Sequence, residues 1–127
     1  MESATDEVYS MSKPTIEPFF PRELGSKSWG EELLIAETER YIGKILWMRA
    51  GCSGAMQYHE KKDETFYLFS GKALVRTKTE DGVVQEFPMS AGESYHVPPG
   101  AIHQVEAQTD CVFFETSTPV FDDRVKA

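Results

Sequence analysis

The sequence predicts an all-β protein, and three observations support that fold class. Short runs rich in β-branched and aromatic residues follow one another over residues 41–116. Turn signals rich in Gly, Pro, Asp and Ser separate these runs. No segment after Gly43 has a clean helical period. Short strands at this spacing are typical of two packed sheets or a closed barrel.

The predicted strands are Tyr41–Arg49, Glu64–Ser70, Ala73–Lys78, Val83–Met89, Ser94–Val97, Ile102–Ala107 and Val112–Thr116. The dipeptide Asp81-Gly82 lies between two of them and is typical of a hairpin turn. Residues 31–39 are ambiguous, because their Leu-Leu-Ile core fits a helix as well as a strand. Residues 13–24 contain three prolines and predict an extended segment that can lie along a sheet edge.

The chain has 127 residues, which is the length of one domain with a core that needs no disulfide. We predict a disordered tail over residues 1–13 and a single folded domain over residues 14–127. The run Glu64–Ser70 is apolar on both faces, with Phe66 and Leu68 on one and Tyr67 and Phe69 on the other. Such a strand is covered on both sides, so we expect a second subunit on its outer face and hence a homodimer.

The composition argues against several kinds of partner. The formal net charge is −8, which repels phosphodiester backbones and anionic lipids and predicts neither a nucleic acid nor a membrane partner. The two cysteines, Cys52 and Cys111, lie far apart and predict reduced thiols rather than a disulfide framework. The first twelve residues are polar and acidic, unlike a signal peptide. We therefore expect a cytoplasmic protein.

The candidate site is a set of His, Glu and Gln residues spaced around glycines. Each of these residues has an ordinary explanation alone, as a hydrogen-bonded histidine or a solvated charge. Their spacing is more informative than their identity. It reads Gly51-x5-Gln57-x-His59-x4-Glu64-x6-Gly71, followed by Gly92-x5-Pro98-Pro99-Gly100-x2-His103.

These two runs resemble the two sequence motifs of the cupin superfamily. The resemblance implies a cupin double-stranded β-helix, which is a jelly-roll barrel, holding one divalent metal ion. It implies Gln57, His59, Glu64 and His103 as the metal ligands. The sequence departs from the superfamily pattern at Gln57, where a first His is usual, and at Ala107, where an Asn is usual.

Strand geometry gives a physical reason for this spacing. Gln57 and His59 are two residues apart, so they face the same side of a strand. Glu64 begins the next strand and returns to the same point, while a rigid Pro-Pro-Gly turn aims His103. Two imidazole nitrogens and two oxygens suit Zn²⁺, Mn²⁺, Fe²⁺, Co²⁺ or Ni²⁺, and the sequence does not choose among them.

The Gln-x-His variant resembles the cupin domain of type II mannose-6-phosphate isomerase, over residues 28–126. The matching segments are Ser28–Gly30, Gly43–Leu46, Met56–His59, Glu64–Phe66, Ser70–Ala73, Glu115–Pro119 and Asp122–Val125. This resemblance implies aldose–ketose isomerisation of a small sugar or sugar phosphate. In that reaction a metal ion acts as a Lewis acid that polarises the carbonyl and stabilises the enediolate.

The resemblance also suggests catalytic roles for two residues. Proton transfer needs a base near the metal, and Glu64 can serve if it leaves the metal during turnover. His96 and Tyr67 are weaker candidates, because strand parity points them outward. Lys44 is the best anchor for a phosphate, since it lies in mid-strand among apolar residues. The other candidate anchors are Arg49, Lys72 and Arg76.

Two other functions stay open at this point. His59, Glu64 and His103 also match the two-His-one-carboxylate arrangement of a non-haem iron dioxygenase. Gln57 counts against that function, because a fourth protein ligand fills a position that O₂ or substrate needs. The third reading is a non-catalytic cupin that binds a metal or a sugar without turnover, since one fold hosts many functions.

Overall fold

The chain forms two antiparallel β-sheets, and the computed structural model describes residues 13–127 of it. Eleven strands and no helix are present in that range, which therefore contains no helix long and apolar enough to cross a membrane. The strands are β1 (Arg22–Lys27), β2 (Gly30–Glu37), β3 (Ile42–Met48), β4 (Gln57–His59), β5 (Glu64–Ser70), β6 (Lys72–Lys78), β7 (Val84–Ser90), β8 (Ser94–Val97), β9 (Ile102–Ala107), β10 (Cys111–Ser117) and β11 (Arg124–Lys126). The predicted disordered tail lies outside the described residues except for Lys13.

The two sheets enclose one hydrophobic core. The six-stranded sheet has the order β1-β2-β3-β10-β5-β8, and the five-stranded sheet has the order β11-β4-β9-β6-β7. Phe66, Leu68 and Phe113 of the first sheet pack with Val75 and Met89 of the second. Neighbouring strands are antiparallel throughout both sheets. This architecture confirms the predicted all-β fold, a jelly-roll barrel in a single domain.

The chain passes from the first sheet to the second at Gly71, between β5 and β6. The φ angle of Gly71 is +104°, and a Cβ at this position would overlap the carbonyl oxygen of Asp110. Only glycine tolerates both the left-handed backbone and this close approach. Gly71 of the sequence motif is therefore required where the chain leaves β5, the strand that begins at Glu64, and enters the second sheet.

Seven of the nine observed strands after residue 41 match the predicted ones to within one residue at each end, and the other two are the three-residue strands β4 and β11. The ambiguous segment 31–39 is strand as far as Glu37, within β2, which pairs with β3 along most of its length. The predicted extended segment 13–24 forms a strand only from Arg22, where β1 begins at the edge of the first sheet. Strand β11 has only three residues and no apolar alternation, so the sequence pattern did not predict it.

The two faces of β5 have different surroundings within one chain. Phe66 and Leu68 are buried in the core, as predicted. On the outer face, Phe69 is 56% exposed and stacks on Phe114 of β10, with a ring-centroid distance of 5.1 Å. Tyr67 stacks on the same Phe114 ring at 6.1 Å. A patch of aromatic side chains thus lies on the outer face of the six-stranded sheet.

Candidate metal centre

Three strands bring the predicted ligands together between the two sheets. Gln57 and His59 lie on β4, Glu64 is the first residue of β5, and His103 is the second residue of β9. Gln57 and His103 are cross-strand partners in the five-stranded sheet. Glu64 reaches the same point from the six-stranded sheet, so the site spans the space between the sheets.

Two histidines and one carboxylate form a compact buried triad. The Glu64 Oε2 atom lies 3.6 Å from Nε2 of His59 and 3.3 Å from Nε2 of His103. One ligand atom from each of the three residues lies within 4.8 Å of the other two. All three side chains are buried. This clustering places their donor atoms where one small cation can contact all of them.

Hydrogen bonds on the far side of each imidazole orient the two rings. Nδ1 of His59 lies 3.0 Å from Oδ1 of Asp123, and Nδ1 of His103 lies 2.9 Å from the carbonyl oxygen of Ala101. A carbonyl oxygen only accepts, so Nδ1 of His103 carries the proton. The Nε2 atom of each ring is thereby directed toward Glu64. Metal-binding histidines have this outer hydrogen bond almost without exception.

The residues present therefore fit a divalent transition metal. Two neutral imidazole nitrogens and a carboxylate oxygen are ligands that Zn²⁺, Mn²⁺ and Fe²⁺ all accept. Gln57 lines the same cavity as the triad, and its amide oxygen is a further available donor. Gln57, His59, Glu64 and His103 are the residues that would hold the ion.

The charge states within the triad suit a cation. Burial alone raises the pKa of Glu64, but the hydrogen bond from His103 and the charge of Lys62 outweigh it and lower the pKa to about 2. Burial alone lowers the pKa of His103, but the hydrogen bond to Glu64 outweighs it and raises the pKa above its ordinary value. Glu64 is thus ionised at neutral pH, and a bound ion competes with the His103 proton.

The triad opens into a cavity of about 330 Å³. Its apolar wall consists of Leu24, Trp29, Leu46, Met48, Phe66, Val105, Phe113 and Phe121. Its polar wall consists of Lys27, Glu32, Lys44, Lys62, Glu115 and Arg124. A mixed lining with a few convergent polar groups is typical of a small-molecule site.

A row of buried or nearly buried charges lies beside the triad, with Lys44, Glu32 and Glu115 on the six-stranded sheet and Lys62 in the loop before β5. Nζ of Lys62 lies 3.3 Å from Oε1 of Glu64 and 3.0 Å from Oε2 of Glu115. Lys44 is the cross-strand partner of Glu115, and its Nζ lies 3.1 Å from Oε1 of Glu32. Burial raises the pKa of Glu115, with a further contribution from the negative charge of Glu64. This buried row supplies hydrogen-bond donors and acceptors to the cavity.

The other residues considered from the sequence lie elsewhere. Of the four candidate phosphate anchors, Lys44 alone lines the cavity. Arg76 forms ion pairs with Glu86 and Glu106 at 2.7 and 2.8 Å. The side chain of His96 is 61% exposed and pairs with Asp63, and Tyr67 faces outward as parity predicted.

Sequence reasoning missed six polar residues of the site. They are Lys27, Glu32, Lys62, Glu115, Asp123 and Arg124. Parity was an available signal for Glu115, because it shares a strand face with the apolar Phe113. Lys62 lies in a loop and Asp123 precedes a three-residue strand, so no periodic pattern marked them.

Comparison with known families gives one match. A family model described as "Cupin domain" matches residues 46–117, which is more than half of the chain. The matched segment contains all four predicted ligands and both glycine-spaced motifs. No curated protein matches the sequence.

Several solved structures share this fold. CapF, a capsular polysaccharide assembling protein from Staphylococcus aureus, has a TM-score of 0.74 at 20% identity, over 92% of this chain and 33% of its own. KdgF from Halomonas sp. has a TM-score of 0.69 at 18% identity, over 80% of this chain and 91% of its own. A mutant of Bacillus subtilis oxalate decarboxylase has a TM-score of 0.70 at 22% identity, over 83% of this chain and 30% of its own. This chain thus spans about a third of the length of CapF.

Proposed function

This chain belongs to the cupin domain family, and from that premise we propose that it is a metal-dependent enzyme acting on a small sugar or sugar phosphate by aldose–ketose isomerisation. One observation carries the proposal. A buried triad that fits a metal ion faces the same cavity as a row of lysines and carboxylates. Polar groups of both kinds can hold the several hydroxyl groups of a sugar.

The cavity residues have complementary roles in this reaction. A bound divalent ion supplies Lewis acidity, which polarises a carbonyl and stabilises negative charge on its oxygen. Lys44 and Lys62 donate hydrogen bonds to substrate oxygens, and Lys44 is the proposed phosphate anchor on the cavity wall. Glu64 is the proposed base when it is released from the ion, and Glu115 is a second buried carboxylate that can carry a proton.

The charge of the site suits an anionic intermediate. When all are ionised, the lysines and carboxylates of the row and triad leave one net negative charge; they are Lys44, Lys62, Glu32, Glu64 and Glu115. A divalent ion reverses this to one net positive charge, which attracts the negative charge that develops during isomerisation. Arg124 adds a further cation to the cavity wall. CapF, whose fold this chain shares, is itself a capsular polysaccharide assembling protein.

Deuterium exchange tests the isomerase directly. The metal-loaded protein is incubated in deuterated water with mannose 6-phosphate, fructose 6-phosphate and a panel of unphosphorylated sugars. We expect exchange at the carbon next to the carbonyl, and we expect Lys44→Met to raise KM for the phosphorylated sugars by roughly 10–100-fold. Arg76→Met is the matched control, because that cation lies outside the cavity. Absence of exchange across the whole panel would eliminate the proposal.

A non-haem iron dioxygenase is the second candidate function, and the triad geometry favours it. His59, Glu64 and His103 form a two-His-one-carboxylate set in the described part of the chain. The discriminating measurement is O₂ consumption by the protein loaded with Fe²⁺ under anaerobic conditions and then exposed to oxygen and candidate substrates. Substrate-dependent oxygen uptake would support this function, while sugar binding with neither oxygen uptake nor exchange would indicate a non-catalytic cupin.

The homodimer is a proposal that the outer aromatic patch supports. Phe69 and Phe114 stack on the outer face of the six-stranded sheet, and both remain at least one-third exposed in a single chain. Clustered exposed aromatic residues are typical of protein interfaces. Light scattering coupled to size exclusion tests this: we expect a dimer that Phe69→Ser converts to a monomer, whereas Phe87→Ser on the other sheet leaves it intact. A monomeric wild-type protein would contradict it.

The cytoplasm is the proposed location, and partners other than a small molecule and a second copy are not expected. Cys52 and Cys111 are both free thiols, as a reducing compartment allows. The net charge of −8 disfavours nucleic acids and anionic lipid surfaces.

A further inference from the structure

The carboxylate of Asp123 receives three hydrogen bonds from the segment that carries the metal ligands. Its Oδ2 atom accepts from the backbone N–H groups of Lys61 and Lys62 at 2.8 and 2.9 Å. Its Oδ1 atom lies 3.0 Å from Nδ1 of His59. Because Oδ2 is held by two backbone donors, the other oxygen is fixed in direction toward the imidazole.

The backbone around Asp123 binds the same segment. Strand β11 pairs with β4 in a register that places Arg124 opposite His59. The carbonyl of Asp123 accepts from N–H of Glu60 at 3.3 Å, and N–H of Ala127 donates to the carbonyl of Met56 at 3.0 Å. On its other side, β4 has one register pair with β9, and the N–H of Gly100 donates to the carbonyl of His59 at 2.8 Å. Residues 123–127 therefore hold one edge of β4, and residues 100–103 hold the other.

The hydrogen bonds of Asp123 indicate which nitrogen of His59 is free. Its Oδ2 atom already accepts from two backbone N–H groups, and its Oδ1 atom faces Nδ1 of His59. A carboxylate oxygen accepts, so Nδ1 of His59 is the donor. The Nε2 atom is then unprotonated and faces Glu64 across 3.6 Å.

We propose that Asp123 is the positioning residue of the metal centre, which holds His59 in the tautomer and orientation that leave Nε2 free for the ion. The pairing of β11 with β4 also aligns one edge of the strand that carries Gln57 and His59. His103 needs no such side chain, because the carbonyl of Ala101 holds its Nδ1. The inference rests on the metal binding of the proposed function and is independent of the reaction catalysed.

Asp123→Asn changes the donor pattern with little change in shape. If the new amide oxygen accepts from Lys61 and Lys62, its NH₂ group faces Nδ1 of His59 and favours the tautomer with the proton on Nε2. That tautomer blocks the metal-binding nitrogen. We expect the dissociation constants for Zn²⁺ and Co²⁺, measured by chelator competition, to rise by about 10–100-fold. Asp122→Asn is the matched control, because the neighbouring carboxylate makes no described contact with the triad, and should bind as the wild type does.

A spectroscopic readout separates positioning from general structure. In the metal-free wild type at about pH 8.5, well above the usual histidine pKa of about 6.5, imidazole ¹⁵N shifts should show His59 protonated on Nδ1. Asp123→Asn should move the population toward the Nε2 tautomer, and His103 should not change.

Two results would overturn the proposal. One is a wild-type His59 protonated on Nε2, a measurement that stands even if the variant does not fold. The other is a folded Asp123→Asn protein with unchanged metal affinity. A wild type that binds no divalent ion would instead refute the proposed function, while the His59 tautomer would still test the role of Asp123.

Discussion

The two sheets contribute different chemistry to the same cavity. The five-stranded sheet supplies uncharged side-chain types as metal ligands, which are Gln57 and His59 on β4 and His103 on β9. The six-stranded sheet supplies charge, with Lys44 on β3 and Glu115 on β10. Glu64 belongs to the six-stranded sheet, but its carboxylate lies beside His59 and His103 of the five-stranded sheet. Metal binding and substrate handling should therefore respond to substitutions on different sheets.

The largest effect should come from removing one of the two imidazoles of the triad. His103→Ala deletes one of the two nitrogens beside Glu64, so a metal ion at this site has one ligand fewer. We expect metal affinity to fall by more than the roughly 100-fold that loss of an outer hydrogen-bond partner costs. The measurement is metal content after purification, followed by titration of the metal-free protein.

The third histidine of the chain is a matched control for that substitution. His96 is exposed on β8 and pairs with Asp63 away from the cavity. His96→Ala should retain the full complement of metal. If His59→Ala and His103→Ala retained it equally well, the assignment of the metal centre would be wrong.

A smaller effect on metal binding is expected from the six-stranded sheet. Glu115→Gln keeps the shape of the side chain and leaves Lys62 paired with Glu64 at 3.3 Å. We expect metal content to be unchanged, because Glu115 is not part of the triad. If Glu115 carries the proton, kcat should fall by about 10²–10⁴-fold with little change in KM. Loss of metal in this variant would show that substitutions on the six-stranded sheet also affect metal binding.

The fold and the triad were predictable because their signals are local or periodic. Turn residues and strand parity located the strands after residue 41, and glycine spacing located His59, Glu64 and His103. The supporting residues carry no such signal. Asp123 lies 64 residues from His59, and its role depends on the pairing of β11 with β4, which only the folded chain reveals. Long-range pairing of very short strands is beyond what a sequence pattern specifies.

The pairing partner of Lys44 illustrates the same limit. Its position in mid-strand among apolar residues predicted a functional cation, and the structure places it in the cavity. The sequence did not show that Glu32 of β2 lies 3.1 Å from its Nζ atom. That contact depends on the register between β2 and β3, which pairs Leu34 with Lys44 and so places Glu32 two residues further along the same face of β2. A phosphate that binds Lys44 must therefore share it with a carboxylate.

The smallest expected effect is the pH dependence of stability, which arises from the contact between His103 and Glu64. The pKa of His103 is raised in the folded protein, so its contact with Glu64 stabilises the metal-free fold fully below the ordinary value of 6.5 and is lost as the pH rises through the raised pKa. Glu64 has a lowered pKa, so its contribution is present above 4.5 and is lost as the pH falls through about 2. The pair therefore stabilises the metal-free protein most between these two ordinary values.

Metal binding should have the opposite dependence on pH above that window. The ion must displace the proton of His103, so the apparent affinity should fall by up to about tenfold per pH unit below the raised pKa. We expect the increase in Tm on adding Zn²⁺ to grow between about pH 5.5 and pH 8.5, because ligand stabilisation follows affinity. His96→Ala should show the same profile as the wild type. An increase in Tm that is constant over this range would mean that His103 does not exchange its proton for the ion, and the contact with Glu64 would then be structural alone.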